Sequence, residues 1–402
     1  MNRNKLKREG KKWVEEGIIS NDQLERIVAR YRNKDVNIIV ILFAVLLTGL
    51  GLITFILSDW ARQPHFSRIL IFIVAMLVLY ILGDVLYRKQ SSLIGASFLV
   101  LGFIVFGTGT FLTIDIYQIE LYSAWPFVIF TLIGLALYFI YQHRLLFVVS
   151  IIVVTIGQIY SGIAFSEWNW LLMILFVFGC SHFVYHHKNH LYSYLFSISF
   201  SIQALTWVIA ESQQYYWLIL CFFFLYIIGD ALKEQVFHLP MKYVALLSIF
   251  LFSMYQTFLL QEDYFMKDME FQIGFMIAWI IFFFIASMMK VKSERKWEMI
   301  DFLLFLPIVF LPFAYLIGLV LLFVFSLVWL FMAYREENQE GILIGTISFL
   351  LSTITVYIQF AWDAMNKSLF FLIGGLLLFV ISYILERKRR KLERNTEGRG
   401  IE

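Results

Sequence analysis

Four residues that could exchange protons lie in short segments between the long apolar runs of the chain: Asp59, His65, Asp115 and Glu120. Carboxylates beside a histidine are groups that enzymes use for acid–base work or metal binding. Membrane enzymes that place such groups on an outer rim usually also hold their substrate with a long loop. The longest predicted outer segment of this chain, residues 261–270, is too short to hold a substrate in this way. We therefore assign no catalytic residue and keep an outer-face envelope-modifying enzyme as an alternative.

Two aspartates in matching contexts, Asp84 and Asp230, are the deepest acids of the apolar region. Each follows a glycine near the end of an apolar run, and each precedes a base on the same helical face, Arg88 in one case and Lys233 in the other. Two interpretations are open. The carboxylates pair with these bases at the level of the lipid headgroups, or they anchor a matched pair of cytoplasmic gates.

The deepest uncharged polar residues form a second candidate set: Gln158, His182, Gln203 and Gln256. Such residues commonly hydrogen-bond between membrane helices, and a weakly polar binding cavity is the alternative. His182 begins a histidine-rich stretch that continues with His186, His187 and His190. No cysteine or carboxylate is near it in the sequence, so we predict no metal site and no cofactor.

The composition indicates that lipid is the solvent for most of the surface. Hydrophobic residues make up 61% of the 402 residues, aromatic residues 19% and charged residues only 15%, against about 25% charged in an ordinary soluble domain. This excludes a soluble enzyme, a disordered chain and a secreted disulfide scaffold. The net charge of +3 is no signal for nucleic acid. Cys180 and Cys221 lie inside apolar runs, which is typical of small buried hydrophobic residues.

A membrane-spanning helix needs about 20 mostly apolar residues, and runs of this kind follow one another from 36 to 386. The sequence predicts an all-α, polytopic transmembrane bundle of about fourteen spans: 36–58, 68–86, 92–114, 124–142, 145–164, 169–186, 191–210, 215–232, 243–260, 271–289, 300–316, 317–334, 341–361 and 368–386. The stretch 300–334 is ambiguous, because it contains Pro307 and Pro312 but no polar break. It could form one kinked helix or two spans.

The positions of Lys and Arg favour two spans in that stretch, since basic residues are retained on the cytoplasmic side. With both termini inside, 28 of the 32 basic residues lie on the cytoplasmic side. All acids and bases between 36 and 386 fall at or near predicted helix boundaries. Proton-driven transporters and ion channels usually carry an ionisable group deep in the membrane. The charge-free interior therefore favours a protein that handles an uncharged or lipid-like compound.

The first 35 residues are polar and predict a cytoplasmic helical hairpin. Ser20 and Gln23 fit a capping box at the start of its second helix, and Trp13 and Val14 are expected to pack on the apolar stripe that begins at Leu24. Two interpretations are open: a hairpin that lies on the membrane, or a module for a protein partner or for self-association. Residues 387–402 form a basic cytoplasmic tail.

Two short segments recur at nearly equal offsets, which suggests an internal duplication. Residues 79–86 (LYILGDVL) resemble 225–232 (LYIIGDAL), and LFVF occurs at both 175–178 and 322–325. The corresponding repeats are 36–186 and 191–334, with an extra hairpin at 341–386. Parallel six-helix repeats are one transporter architecture.

The chain resembles a family of predicted bacterial membrane proteins known as domain of unknown function 2157. The resemblance lies in Trp13–Ser20 with Gln23, in Gly49–Gly51, in Asp59–Trp60, in Phe106–Gly109 and in Ile116–Ile119, and also in Lys367–Phe371 with Gly374 and Gly375. It implies a multi-pass protein of the bacterial cytoplasmic membrane and brings no known activity.

Three functions remain open on the sequence. The first is a carrier or flippase for an uncharged or lipid-like compound. The second is a non-catalytic sensor or assembly module that acts through the hairpin at 1–35. The third is the outer-face enzyme. Every one of them has the lipid bilayer as its principal partner and none involves nucleic acid.

Overall fold

The computed structural model describes residues 64–89, 91–232, 234–261, 270–293, 296–336 and 339–361, together with single positions before 55 and between 368 and 383. Every regular element in these residues is helical. The chain divides into two compact units, Met1–His182 and Phe183–Glu402. The predicted repeat boundaries are close to this division, and the duplication itself stays a prediction.

From residue 64 onward, the described part of unit 1 contains four complete helices and most of a fifth: α1 (His65–Lys89), α2 (Ser92–Ile116), α3 (Trp125–Tyr141), α4 (Arg144–Phe165) and α5 (Trp170–His187). Pro126 lies in the first turn of α3, where its missing N–H costs no hydrogen bond. Asn169 caps α5 by accepting a hydrogen bond from the Leu172 N–H at 3.1 Å. Residues Leu175–Cys180 of α5 form a π-helical turn.

Unit 2 contains six described helices: α6 (His190–Ala210), α7 (Trp217–Ala231), α8 (Gln235–Leu259), α9 (Ile273–Lys292), α10 (Ala314–Arg335) and α11 (Gln339–Ala361). Between α9 and α10 the chain forms two 3-10 helical segments, Lys296–Phe305 and Ile308–Phe310. We refer to residues 296–310 as the 3-10 crossing. Pro240 lies within the first two turns of α8.

The helices agree with the predicted spans over most of the described residues. Nine of the helices in this part of the chain are long and apolar enough to cross a membrane, and α3 and α7 are shorter apolar helices. Their outward surfaces carry large hydrophobic side chains, such as Ile81 on α1 and Phe284 on α9. Such surfaces suit a lipid bilayer. The described positions of the predicted spans 36–58 and 368–386 are helical, and the rest of those spans lies outside the described residues.

The prediction of an α-helical span at 300–316 is wrong. Proline at 307 and 312 lacks the N–H that an α-helix needs and collides with the preceding turn, and the chain forms 3-10 turns instead. These turns still cross unit 2 along the length of α9, from its last turn to its beginning. Glu298 meets Lys290 at the end of α9, whereas Phe310 packs on Phe275 at the beginning of α9.

The two ends of unit 2 differ in chemistry. At the end that we call the aromatic end, the ring of Trp217 packs against Trp207 and its N–H donates to the Gln272 side chain at 2.9 Å. At the opposite end, Lys188 pairs with Glu234 at 2.6 Å. That hydrogen bond raises the pKa of the Lys188 ammonium. We call this end the cluster end, because a group of buried charged side chains lies there. The 3-10 crossing runs from the cluster end to the aromatic end, and α10 then returns, because Trp329 near the end of α10 lies by Lys242 at the cluster end. The chain therefore crosses unit 2 twice between 296 and 335.

The predicted capping box near the amino terminus is confirmed. The Ser20 N–H donates to Gln23 Oε1 at 2.9 Å, and the Gln23 N–H donates to Ser20 Oγ at 3.2 Å. Trp13 and Val14 pack against the buried Leu24 side chain, as predicted. Most of the hairpin at 1–35 and the tail at 387–402 lie outside the described residues.

The contact between α1 and α2 depends on glycine. A Cβ atom at Gly95 would lie 2.3 Å from the Tyr87 backbone nitrogen, and one at Gly83 would lie 2.9 Å from the Leu99 side chain. Small residues let membrane helices approach this closely, and the approach supplies their packing energy.

We expect Gly95→Ala to lower the stability of the protein by about 1–3 kcal/mol, the usual cost of overpacking, because the added methyl group must displace the Tyr87 backbone. Gly274→Ala is the matched control, since a Cβ atom there meets nothing within 4 Å. Thermal unfolding in detergent measures both variants. Equal unfolding midpoints for the two would contradict the tight α1–α2 contact.

Candidate functional site: a buried ionic cluster

The described part of unit 2 holds a group of buried charged side chains at the cluster end. We call it the ionic cluster and define it as Asp230, His238, Lys242, Lys290, Glu298 and Asp301. Their exposed fractions run from 0% for Lys290 and Asp301 to 9% for His238. Burial of charge is costly unless each charge is paired, so the contacts among these side chains decide whether this part of the fold is stable.

Four elements bring the cluster together. Asp230 is the next-to-last residue of α7, and Lys290 is in the last turn of α9. His238 and Lys242 are four residues apart on α8 and therefore share a face. The 3-10 crossing contributes Glu298 and Asp301, three residues apart, which superimposes them on one face of a helix with three residues per turn.

Lys290 is the centre of the cluster. Its ammonium lies 2.5 Å from Asp230 Oδ2 and 2.5 Å from Glu298 Oε2. The same nitrogen lies 4.7 Å from the centre of the Tyr226 ring, in a cation–π contact. One buried cation thus ties the end of α7 to the beginning of the 3-10 crossing.

Lys242 forms the second bridge. Its ammonium lies 2.9 Å from Glu298 Oε2 and 3.1 Å from Asp301 Oδ2. The Tyr226 hydroxyl donates to the same Asp301 oxygen at 2.7 Å. Lys242 also lies 5.7 Å from the Trp329 ring centre, so α10 reaches the cluster as well.

His238 faces two hydrogen-bond acceptors through one ring nitrogen. Its Nδ1 lies 3.2 Å from Asp230 Oδ1 and 3.3 Å from the Gly229 carbonyl oxygen. Neither of these oxygens can donate, so the hydrogen-bond network assigns a hydrogen to Nδ1. His238 therefore donates toward Asp230.

Ligand-type atoms of Asp230, His238 and Glu298 lie within 4.8 Å of one another, a spacing that a metal ion could bridge. Lys290 already places its ammonium against both carboxylates, in the position that a bound cation would take. We therefore interpret the cluster as a site with a tethered cation of its own. It can store charge and protons.

The cluster shows that charged residues which the sequence places at helix boundaries are buried inside the protein. The sequence places Lys242 outside the span 243–260, but α8 begins at Gln235, so Lys242 is two turns inside the helix. Lys290 counts as a boundary residue in the sequence, yet its side chain is fully buried. These residues were missed because a linear count of boundaries does not show which way a side chain points.

The structure places the candidate gate residues in different surroundings. Asp84 Oδ1 accepts hydrogen bonds from Arg88 Nε at 2.8 Å and from the Tyr141 hydroxyl at 2.9 Å, and its side chain is one-third exposed. The expected Arg88 partner is thus confirmed. Asp230 pairs with Lys290 and His238 instead, and Lys233 lies outside the described residues. A gate role for either aspartate stays a prediction.

The four candidate cavity residues are divided between the two units, and their role in a cavity stays a prediction. Gln158 donates to the Asn169 carbonyl at 3.3 Å, and the His182 ring lies 6.0 Å from that of Phe139, both in unit 1. In unit 2, Gln203 donates to Ser199 Oγ at 3.1 Å. Gln256 is buried, and its side-chain nitrogen has no hydrogen-bond partner among the described residues.

The described members of the candidate outer rim are exposed. His65 begins α1, and Asp115 lies near the end of α2, where its carbonyl oxygen accepts a hydrogen bond from Gln118. Glu120 accepts a hydrogen bond from the Tyr122 hydroxyl, which raises the pKa of that tyrosine. Asp59 lies outside the described residues. An enzymatic role of this rim stays a hypothesis.

A lipid-facing groove runs between α6 and α8, with α7 as its floor. Its volume is about 540 Å³. Apolar side chains line most of it, with Tyr194 and Tyr243 toward the cluster end and Tyr255 toward the aromatic end. Its most polar point is where Ser248 donates to Ser201 Oγ at 3.1 Å. No periodic pattern in the sequence predicts this groove.

Comparison with known proteins supports the membrane assignment. The model of the family described as "Predicted membrane protein (DUF2157)" matches residues 11–147, about a third of the chain. The resemblance stated from the sequence is confirmed, and the chain is a membrane protein with multiple apolar helices. No curated protein and no solved structure matches it.

We expect Lys290→Ala to destabilise the protein by about 3–5 kcal/mol, the range for removing one partner of a buried ion pair, because Asp230 and Glu298 lose their shared cation. Lys292→Ala is the matched control, since Lys292 is two residues away and exposed. Thermal unfolding in detergent measures both. If both variants unfold at the wild-type temperature, the cluster does not hold the fold together.

Proposed function

We propose that the protein is a carrier or flippase for a lipid-like compound in the bacterial cytoplasmic membrane. The groove between α6 and α8 supports this proposal most directly. Ligand pockets commonly have volumes of about 300–1,000 Å³, and the groove volume of about 540 Å³ lies in this range.

The length of the groove suits an acyl chain. Tyr243 and Tyr255 are twelve residues apart on α8, which corresponds to about 18 Å along the helix. Half of the hydrocarbon core is about 15 Å thick. A groove of this length is longer than the hydrocarbon layer of one leaflet is thick, as a path between leaflets requires.

The side walls of the groove suit a ligand that enters from the membrane. Leu247, Leu251 and Ile198 line it and are each about half exposed on the lipid-facing surface. Lipid molecules surround such a surface, so an acyl chain reaches the groove without passing through water. The hydroxyl groups of Ser201 and Ser248 offer a weakly polar contact part-way along. The groove thus supports a lipid-like substrate.

We expect Leu247→Trp to reduce lipid movement on the order of tenfold, which corresponds to about 1.4 kcal/mol, because the indole ring obstructs the mouth of the groove. The assay follows a fluorescent phosphatidylglycerol between leaflets of vesicles made of phosphatidylethanolamine and phosphatidylglycerol. Ile209→Trp is the control, since Ile209 is exposed on α6 and does not line the groove. Wild-type protein that moves no lipid, or equal losses in both variants, would contradict the proposal.

The orientation follows from charge. With both termini in the cytoplasm, 28 of 32 basic residues face inward, and the two crossings between 296 and 335 are compatible with this count. We expect a reporter enzyme that is active only outside the membrane to be inactive when fused after Arg394. An active reporter at that position would overturn the orientation.

A further inference from the structure

The charges of the ionic cluster do not balance when every carboxyl group is ionised. Lys242 and Lys290 supply two positive charges, and Asp230, Glu298 and Asp301 supply three negative charges. His238 adds none in its neutral form. Among the described side chains, the cluster then carries one uncompensated negative charge in a buried site. Such a charge is costly enough that a buried carboxyl group takes up a proton instead.

The contacts of the three carboxyl groups differ. Asp230 faces the Lys290 ammonium at 2.5 Å and receives the His238 N–H at 3.2 Å. Glu298 faces both lysines, at 2.9 Å and 2.5 Å. These two carboxyl groups have the close cations that keep a carboxylate ionised.

Asp301 has weaker support for a negative charge. Its side chain is completely buried, and its Oδ2 atom meets the Lys242 ammonium at 3.1 Å and the Tyr226 hydroxyl at 2.7 Å. Its Oδ1 atom is buried and has no hydrogen-bond partner among the described residues. Leaving the oxygen of a neutral acid without a partner costs less than leaving that of a carboxylate. Of the three carboxyl groups, Asp301 is therefore the one that best accommodates the extra proton.

Aromatic rings separate this carboxyl group from the aromatic end of unit 2. Phe302 packs on Tyr226 with ring centres 6.1 Å apart, and Phe305 stacks on Phe223 at 4.6 Å. The groups that face the site from the other elements are Tyr226, Asp230, His238, Lys242, Lys290 and Trp329. The rings leave the cluster end as the nearer side for a proton that reaches Asp301.

We propose that the ionic cluster is a proton-binding site in which Asp301 is a neutral carboxylic acid at neutral pH. Loss of this proton leaves one uncompensated negative charge in the cluster and weakens the attachment of the 3-10 crossing to α7, α8 and α9. If the proposed carrier function holds, the site couples lipid movement to proton binding. Only this coupling rests on the proposed function. The proton itself is detectable in the resting protein.

The test is infrared spectroscopy of the full-length protein at neutral pH, in a detergent that contains no ester groups. We expect a carboxylic-acid C=O stretching band in wild type and in Asp84→Asn, and its loss in Asp301→Asn. Asp84→Asn is the matched control because Asp84 is paired with Arg88 and partly exposed. Absence of the band in wild type, or its persistence in Asp301→Asn, would overturn the proposal.

Thermal unfolding gives an independent measurement. An amide resembles a neutral acid in shape and charge, so Asp301→Asn should unfold close to the wild-type temperature, whereas Glu298→Gln should unfold well below it. Equal destabilisation by the two variants would show that Asp301 is ionised. If Asp301→Asn does not fold, Asp301→Glu replaces it in the infrared test, and an unshifted band would overturn the assignment. A failed lipid assay leaves these results intact, so the two proposals fail separately.

Discussion

The need to neutralise buried charge constrains unit 2 more than any other interaction. Lys290 is completely buried, and its ammonium is held between the carboxylates of Asp230 and Glu298 at 2.5 Å each. Removing both carboxylates would leave a buried cation without a counter-charge, which is strongly destabilising. The ends of α7 and α9 and the beginning of the 3-10 crossing must therefore stay in one arrangement, since the cation has no other described carboxylate within the same distance.

This constraint explains why a non-α-helical segment can cross the unit. Backbone that is not α-helical is tolerated at membrane depth only where protein surrounds it. The 3-10 crossing satisfies that condition: Phe302, Phe305 and Ile308 are buried among the helices, and the Phe305 carbonyl accepts a hydrogen bond from the Trp279 N–H at 2.7 Å. The charged contacts fix its beginning, and aromatic packing on Tyr216 and Phe275 fixes its end.

The sequence predicted most of the described helices because apolar length alone decides which segments can span a bilayer. It also predicted the Ser20–Gln23 capping box, since that motif depends only on local spacing. It did not predict the ionic cluster. Lys242, Lys290, Glu298 and Asp301 are near the ends of apolar runs, where a solvated charge and a buried, paired charge have the same sequence pattern. Only the packing of α7, α8 and α9 around the 3-10 crossing distinguishes them.

The groove and the ionic cluster share one helix. Tyr243, Leu247 and Leu251 follow one another at steps of four along α8 and line the groove, while His238 and Lys242 face the cluster at the same spacing. A rotation of the whole of α8 would therefore change both the contacts of the cluster and the width of the groove.

The two Gly-Asp segments show how one sequence pattern leads to two energetic roles. At Asp84 the partner is Arg88, four residues later and mostly exposed, and an ion pair of that kind contributes little to stability because water competes for both charges. At Asp230 the partners come from two other helices, α8 and α9, and the carboxylate is buried. The shared pattern specifies how a helix ends with a carboxylate near its last turn. The importance of that carboxylate depends on what packs against it. If the two segments arose by duplication, the second copy gained its role through Lys290 and the 3-10 crossing rather than through its own residues.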